Sequence, residues 1–151
     1  MLKNIKTKQS GFTLVELLIV IVVIAILAAI SVVAYTGITN RGKSVKAQAT
    51  ASNILKKVEA FNAETGAYPT TFAALTGAAS TTTYYVAPSD ATFLATTAIS
   101  SPSDEKTINF ATCTTPTGVR VSYWKYDGTA AIQHLYAGGA TAASTCTNTA
   151  T

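Results

Sequence analysis

The chain has 151 residues, 48% of them hydrophobic and only 12% charged, with a formal net charge of +4. That length holds one modest domain and not two. Lys3, Lys6 and Lys8 account for most of the charge, since the rest of the chain carries 8 basic and 7 acidic residues, so the basic balance is not a nucleic-acid footprint.

The apolar residues are unevenly distributed. Every residue from Leu17 to Ile30 is apolar, whereas from residue 70 onward the chain is rich in Ala, Thr, Ser and Gly. This contrast reads as a membrane segment carrying an extracytoplasmic head. The basic start and apolar stretch have the outline of a secretory signal peptide. The stretch is longer than such signals use, running from about Leu14 to Ala34, and it ends without a convincing small-x-small cleavage site, Ala28-Ala29 being the nearest to one. About 20 helical residues span the ~30 Å hydrocarbon core of a bilayer, so the segment is predicted to be a transmembrane helix.

Glu16 is out of place in that helix. A carboxylate near the bilayer interior costs several kcal/mol unless paired or held near the interface. Two readings stand: Glu16 snorkels at the interface beside Lys8, or it awaits a cation from another subunit.

The run Gly11-Phe12-Thr13-Leu14-Val15-Glu16-Leu17-Leu18 resembles the type IV prepilin signal, in which a short basic leader and Gly precede Phe-Thr-x-x-Glu and a long apolar helix. The resemblance is tight over residues 1–35 and looser to about residue 65. It implies a leader of residues 1–11, removed by a prepilin peptidase between Gly11 and Phe12. It also implies methylation of the new Phe12 amine, and pairing of Glu16 with that amine on a neighbouring subunit during assembly. Gly11 suits a subsite that admits little side chain. The implied partners are like subunits in a helical filament, the peptidase, a membrane platform protein and a cytoplasmic assembly ATPase. The implied product is a type IV pilus subunit, a single-pass cytoplasmic membrane protein before assembly and a surface filament afterwards, with adhesion and twitching motility as associated activities. The alternatives are a pseudopilin of a type II secretion or competence system, or a tip-located minor pilin acting as adhesin or DNA-binding module.

The sequence departs from many such proteins in having neither Gly nor Pro within residues 12–36. Any bend is therefore expected near Tyr35–Gly42. Arg41, Lys43 and Lys46 follow the span closely, so flanking charge alone fixes the topology weakly; the resemblance puts the N-terminus inside.

Beyond the span, residues 37–65 read as an amphipathic continuation. Ala51, Ile54, Leu55, Val58 and Phe61 form one apolar stripe at helical spacing. A helix over residues 12–64 would be about 80 Å long, too long for a head of ~85 residues to bury, which argues for polymerisation. Thr65-Gly66 with Pro69 beyond is a helix-stop signal, and Thr71–Leu75 is expected to add a short helical turn. Strands are predicted at Tyr84–Ala87, Lys106–Ala111, Val119–Tyr126 and Ala131–Ala137, the last two joined by a tight turn at Asp127-Gly128. Residues 66–151 are thus expected to form a small antiparallel sheet packed on the helix stripe, an α+β head, with residues 138–151 irregular.

Cys113 and Cys146 are the only cysteines. An even pair in an exported domain reads as one disulfide rather than two buried thiols. No metal or organic cofactor is indicated, and no enzymatic activity is expected. His134 is the sole histidine; a Ser122/His134/Asp127 trio exists only on paper, without a nucleophile elbow. Tyr84, Tyr85, Tyr123, Trp124, Tyr126 and Tyr136 could form a ligand-stacking surface, although cross-strand packing is the commoner use of such residues.

Overall fold

The computed structural model describes residues 11–94, 99, 104–127 and 131–148. Lys3, Lys6 and Lys8 of the leader, Pro102, and Gly128 of the expected Asp127-Gly128 turn lie outside them. The elements are α1 (Leu14–Thr65), α2 (Ala73–Thr76), β1 (Thr92–Phe93), β2 (Thr107–Thr115), β3 (Thr117–Lys125), β4 (Ala131–Gly138) and β5 (Thr145–Asn148). The chain divides into two compact units, 1–37 and 38–151. The division falls inside Tyr35–Gly42, where the sequence placed any bend; the helical assignment of α1 runs through that stretch unbroken.

In the first unit α1 is apolar on all sides. Its Leu, Ile and Val side chains from Leu14 to Val33 are all exposed. Among the described residues α1 is the one helix long and apolar enough to cross a membrane. Ser31 within the apolar run and Thr36 just past it bond back into the helix: Ser31 Oγ donates to Leu27 O (2.7 Å) and Thr36 Oγ1 to Val33 O (2.9 Å). A hydroxyl bonded back to the preceding turn asks nothing of its surroundings, which suits a water-free environment.

In the second unit α1 changes character. Ala47, Ala51, Ile54 and Val58 are buried, spaced at three and four residues along one face. Leu55 and Phe61, also expected on the stripe, lie half-buried beside it. The helix stops where the sequence placed its end: Gly66 takes the left-handed conformation (φ 78°) and donates its N–H to Asn62 O (2.8 Å). That closes the last turn in a conformation only glycine adopts freely.

The stripe packs on a five-stranded sheet with order β1-β2-β3-β4, in which β5 also pairs β2. On β2 and β3, Ile108, Phe110, Val119 and Val121 are fully buried and join the helix stripe in one core. Phe72, Phe93 and Phe110 close its end as a ring cluster, Phe72 and Phe93 stacked at 4.7 Å. The opposite face carries Arg120, Ser122 and Trp124.

The α+β expectation holds, and three details differ. First, Tyr84–Ala87 is not a strand: Tyr84 ends a turn and Tyr85–Ala87 are irregular. Its aromatic residues anchor a loop: Tyr84 meets Phe61 edge-on at 5.0 Å, and Val86 N bonds Leu75 O. Second, the sheet is mixed, because the two-residue β1 joins β2 in parallel. Third, the stretch read as irregular contains β5, antiparallel to β2 with Cys113 opposite Cys146. Those cysteines form the disulfide, sequence separation 33.

Candidate functional site

The first turn of α1 brings together the residues singled out at the N-terminus. Thr13 is the helix N-cap and Glu16 the third residue of the helix. Glu16 N donates to Thr13 Oγ1 (3.2 Å), and Glu16 Oε2 accepts from both Thr13 N (2.9 Å) and Thr13 Oγ1 (2.7 Å). This is a capping box: side chain and backbone of the two residues exchange bonds that the end of a helix otherwise leaves unmade. The signal was present in the sequence as Thr-x-x-Glu before an apolar run, and the reading of Glu16 as a carboxylate in need of a partner overlooked it. An acidic side chain in the first turn also faces the positive pole of the helix.

Gly11 and Phe12 precede the cap and stand outside the helix. Among the described residues, and its chain neighbours aside, nothing lies within 4 Å of where a Gly11 side chain would begin. Phe12 is 81% exposed. The Gly11–Phe12 peptide bond is therefore an accessible, non-helical bond one residue ahead of a capped helix. Within the described residues Glu16 Oε1 has no hydrogen bond or ion pair, which leaves one carboxylate oxygen able to accept from elsewhere.

The other singled-out residues lie in the second unit. Ser122 and His134 are cross-strand neighbours on β3 and β4, with Ser122 Oγ 2.8 Å from His134 Nδ1. Asp127 pairs with Lys125 at 2.7 Å. Burial, and then the Arg120 guanidinium, hold the His134 imidazole below its ordinary pKa. The aromatic residues do not form one surface. Tyr123 is in the core, Tyr84 packs on Phe61, and Tyr126 lies under Lys43, whose ammonium is 5.7 Å from the ring centre. Burial and the nearby carboxylates Glu105 and Asp104 raise the Tyr126 phenol. Trp124 and Tyr136 are half-buried on the outer face, Tyr136 beside His134. Among the described residues no group of three or more His, Cys, Asp or Glu could hold a metal.

At Glu59 the structure shows a tie that the sequence did not announce. Tyr68 donates to Oε2 (3.2 Å) and Gly138 N to Oε1 (3.3 Å), joining α1, the loop after it and the end of β4. Burial, then Glu59, raise the Tyr68 phenol. Gly138 adopts φ 70°, and a Cβ there would come within 2.7 Å of the Tyr68 ring, so only glycine fits.

Residues 6–32 match the family model of the prokaryotic N-terminal methylation motif. No curated protein and no solved structure matches the chain.

Proposed function

From the premise that residues 6–32 carry the type IV prepilin-type signal, we propose that this chain is a structural, non-catalytic subunit of a type IV pilus. It is made as a membrane-anchored precursor and cut by a prepilin peptidase between Gly11 and Phe12. It is then methylated at the Phe12 amine and polymerised through α1, with a platform protein and an assembly ATPase driving extraction. The observation that carries this reading is the coincidence of the motif with an accessible Gly11–Phe12 bond and an unburied apolar helix directly behind it. Lipid covers that helix first and like subunits cover it later. In the filament Glu16 Oε1 accepts from the Phe12 ammonium of a neighbour while Oε2 stays with Thr13. A buried carboxylate is tolerable when paired and hydrogen-bonded in this way.

The test is mass spectrometry of the N-terminal peptide from a sheared cell-surface fraction. The expected peptide begins at methylated Phe12, and its abundance there marks a filament subunit. A chain confined to membranes and still beginning at Met1 would overturn the proposal. Gly11→Phe should leave the precursor uncut; normal processing of that variant would refute the cleavage site.

A further inference from the structure

A recess of about 380 Å³ opens in the second unit between α1 and the loop that leads to β1. Its volume is in the range of small-molecule sites, ~300–1,000 Å³. Three lysines line it, Lys56, Lys57 and Lys106, against one acidic residue, Asp90. None of the three is in an ion pair among the described residues, whereas Lys46 and Lys125 have found carboxylates at 3.4 and 2.7 Å. Lys57 Nζ donates to Thr83 O (2.5 Å) and Lys106 Nζ to Ser89 O (2.7 Å). Neutral acceptors therefore hold these two heads in place, and each keeps further N–H donors. Lys56 makes no hydrogen bond or ion pair among the described residues. Like charges gathered around one concavity repel, and the repulsion is stronger where water is partly excluded. An anion in the recess removes it.

The rest of the lining narrows the ligand. Buried Ile54 and Val86 give the lining apolar surface, Tyr85 an aromatic side chain, and Asn53 and Ser89 an amide and a hydroxyl. That set suits a single ring bearing hydroxyls and one acidic group. The geometry points to a binding site for a carboxylated or sulfated sugar residue. A nucleic acid fits less well, because the three lysines border a single recess rather than a longer stripe that could follow a phosphate backbone. The site does not depend on the filament reading, since all its residues belong to the second unit.

The experiment is calorimetric titration of the full-length chain, in a neutral detergent without a sugar headgroup, with glucuronate and with glucose 6-sulfate. Glucose and inorganic sulfate are the counterparts lacking the charge or the ring, and a short single-stranded oligonucleotide is the polyanion control. The expected result is saturable binding of at least one of the two acidic sugars, weakening as salt is raised. Glucose should not bind, and sulfate should bind more weakly than glucose 6-sulfate. Lys56→Gln and Lys106→Gln should each weaken binding about tenfold, the loss of one charge-assisted hydrogen bond. Lys56 is exposed, so Lys56→Gln reports on binding with the fold intact even if Lys106→Gln does not fold. No saturable isotherm with either acidic sugar would overturn the proposal. So would equal binding of glucose, equal binding of sulfate, unchanged affinity in Lys56→Gln, or oligonucleotide binding through these lysines while both sugars fail.

Discussion

The two carboxylate oxygens of Glu16 stand in different situations: Oε2 accepts two bonds from Thr13, while Oε1 has no bond among the described residues. A motif glutamate can therefore serve its own helix and a neighbour together, and the two roles separate by mutation. Glu16→Val removes both. It should still be cut after Gly11, but N-terminal methylation and filament yield should fall severely. Thr13→Val keeps the backbone bond to Oε2 and loses the hydroxyl, so it should be cut and show an intermediate loss, with Thr13→Ser restoring yield. Mass spectrometry of the N-terminal peptide and the amount of sheared filament read both effects; full methylation and yield in Glu16→Val would remove the pairing mechanism. His134 offers a second residue-scale expectation. Its pKa is depressed in the folded chain. The folded state thus binds fewer protons than the unfolded state just below the ordinary value of 6.5. The His134 contribution to stability is full above that pH and declines as pH falls toward the folded value. Denaturant melts at about pH 5 and pH 8 should show a smaller pH difference in His134→Gln than in the native chain, and equal differences would exclude the effect.

At the scale of elements, β5 is the least self-sufficient. Thr145–Asn148 has little to bury, and its pairing with β2 is fastened by the Cys113–Cys146 bond. Cross-linking a loop of this length stabilises by about 3–4 kcal/mol in the chain-entropy account. The Cys113→Ala, Cys146→Ala double variant should lose about that much in denaturant melts, with faster amide exchange in β5 than in β3 and β4. An unchanged midpoint would show that strand pairing alone suffices. The same element explains what the sequence concealed. β3 alternates apolar and polar residues and was legible from that period, while β4 was marked by its β-branched and aromatic residues beyond the Asp127-Gly128 turn signal. Over two residues β1 has no period to read, and its parallel register is imposed by Thr107 and Ile108. The Tyr-Tyr-Val-Ala run at residues 84–87 has strand propensity, but contacts with Phe61 and the backbone of Leu75 hold it as an irregular segment. Here tertiary packing overrides local preference.

At the scale of the whole molecule, the N-terminal site was legible because its residues are contiguous: Gly11, Phe12, Thr13 and Glu16 lie within six positions. The lysine recess was not, because Lys56 and Lys57 of α1, Tyr85 of the loop before β1 and Lys106 just ahead of β2 meet only in the folded chain. The exposed apolar helix of the first unit has a kinetic consequence as well as a structural one. Fifteen Leu, Ile and Val side chains between Leu14 and Val33 are uncovered. Each large aliphatic side chain moved from an apolar medium into water costs about 1.5–3 kcal/mol, so wetting the whole segment would cost roughly tens of kcal/mol. No thermal fluctuation supplies that. If the chain leaves a bilayer for a polymer, the helix must slide from one dry surrounding into the next without a hydrated intermediate. Release and docking are then one event, and a subunit drawn outward with no growing end to receive it falls back into the lipid.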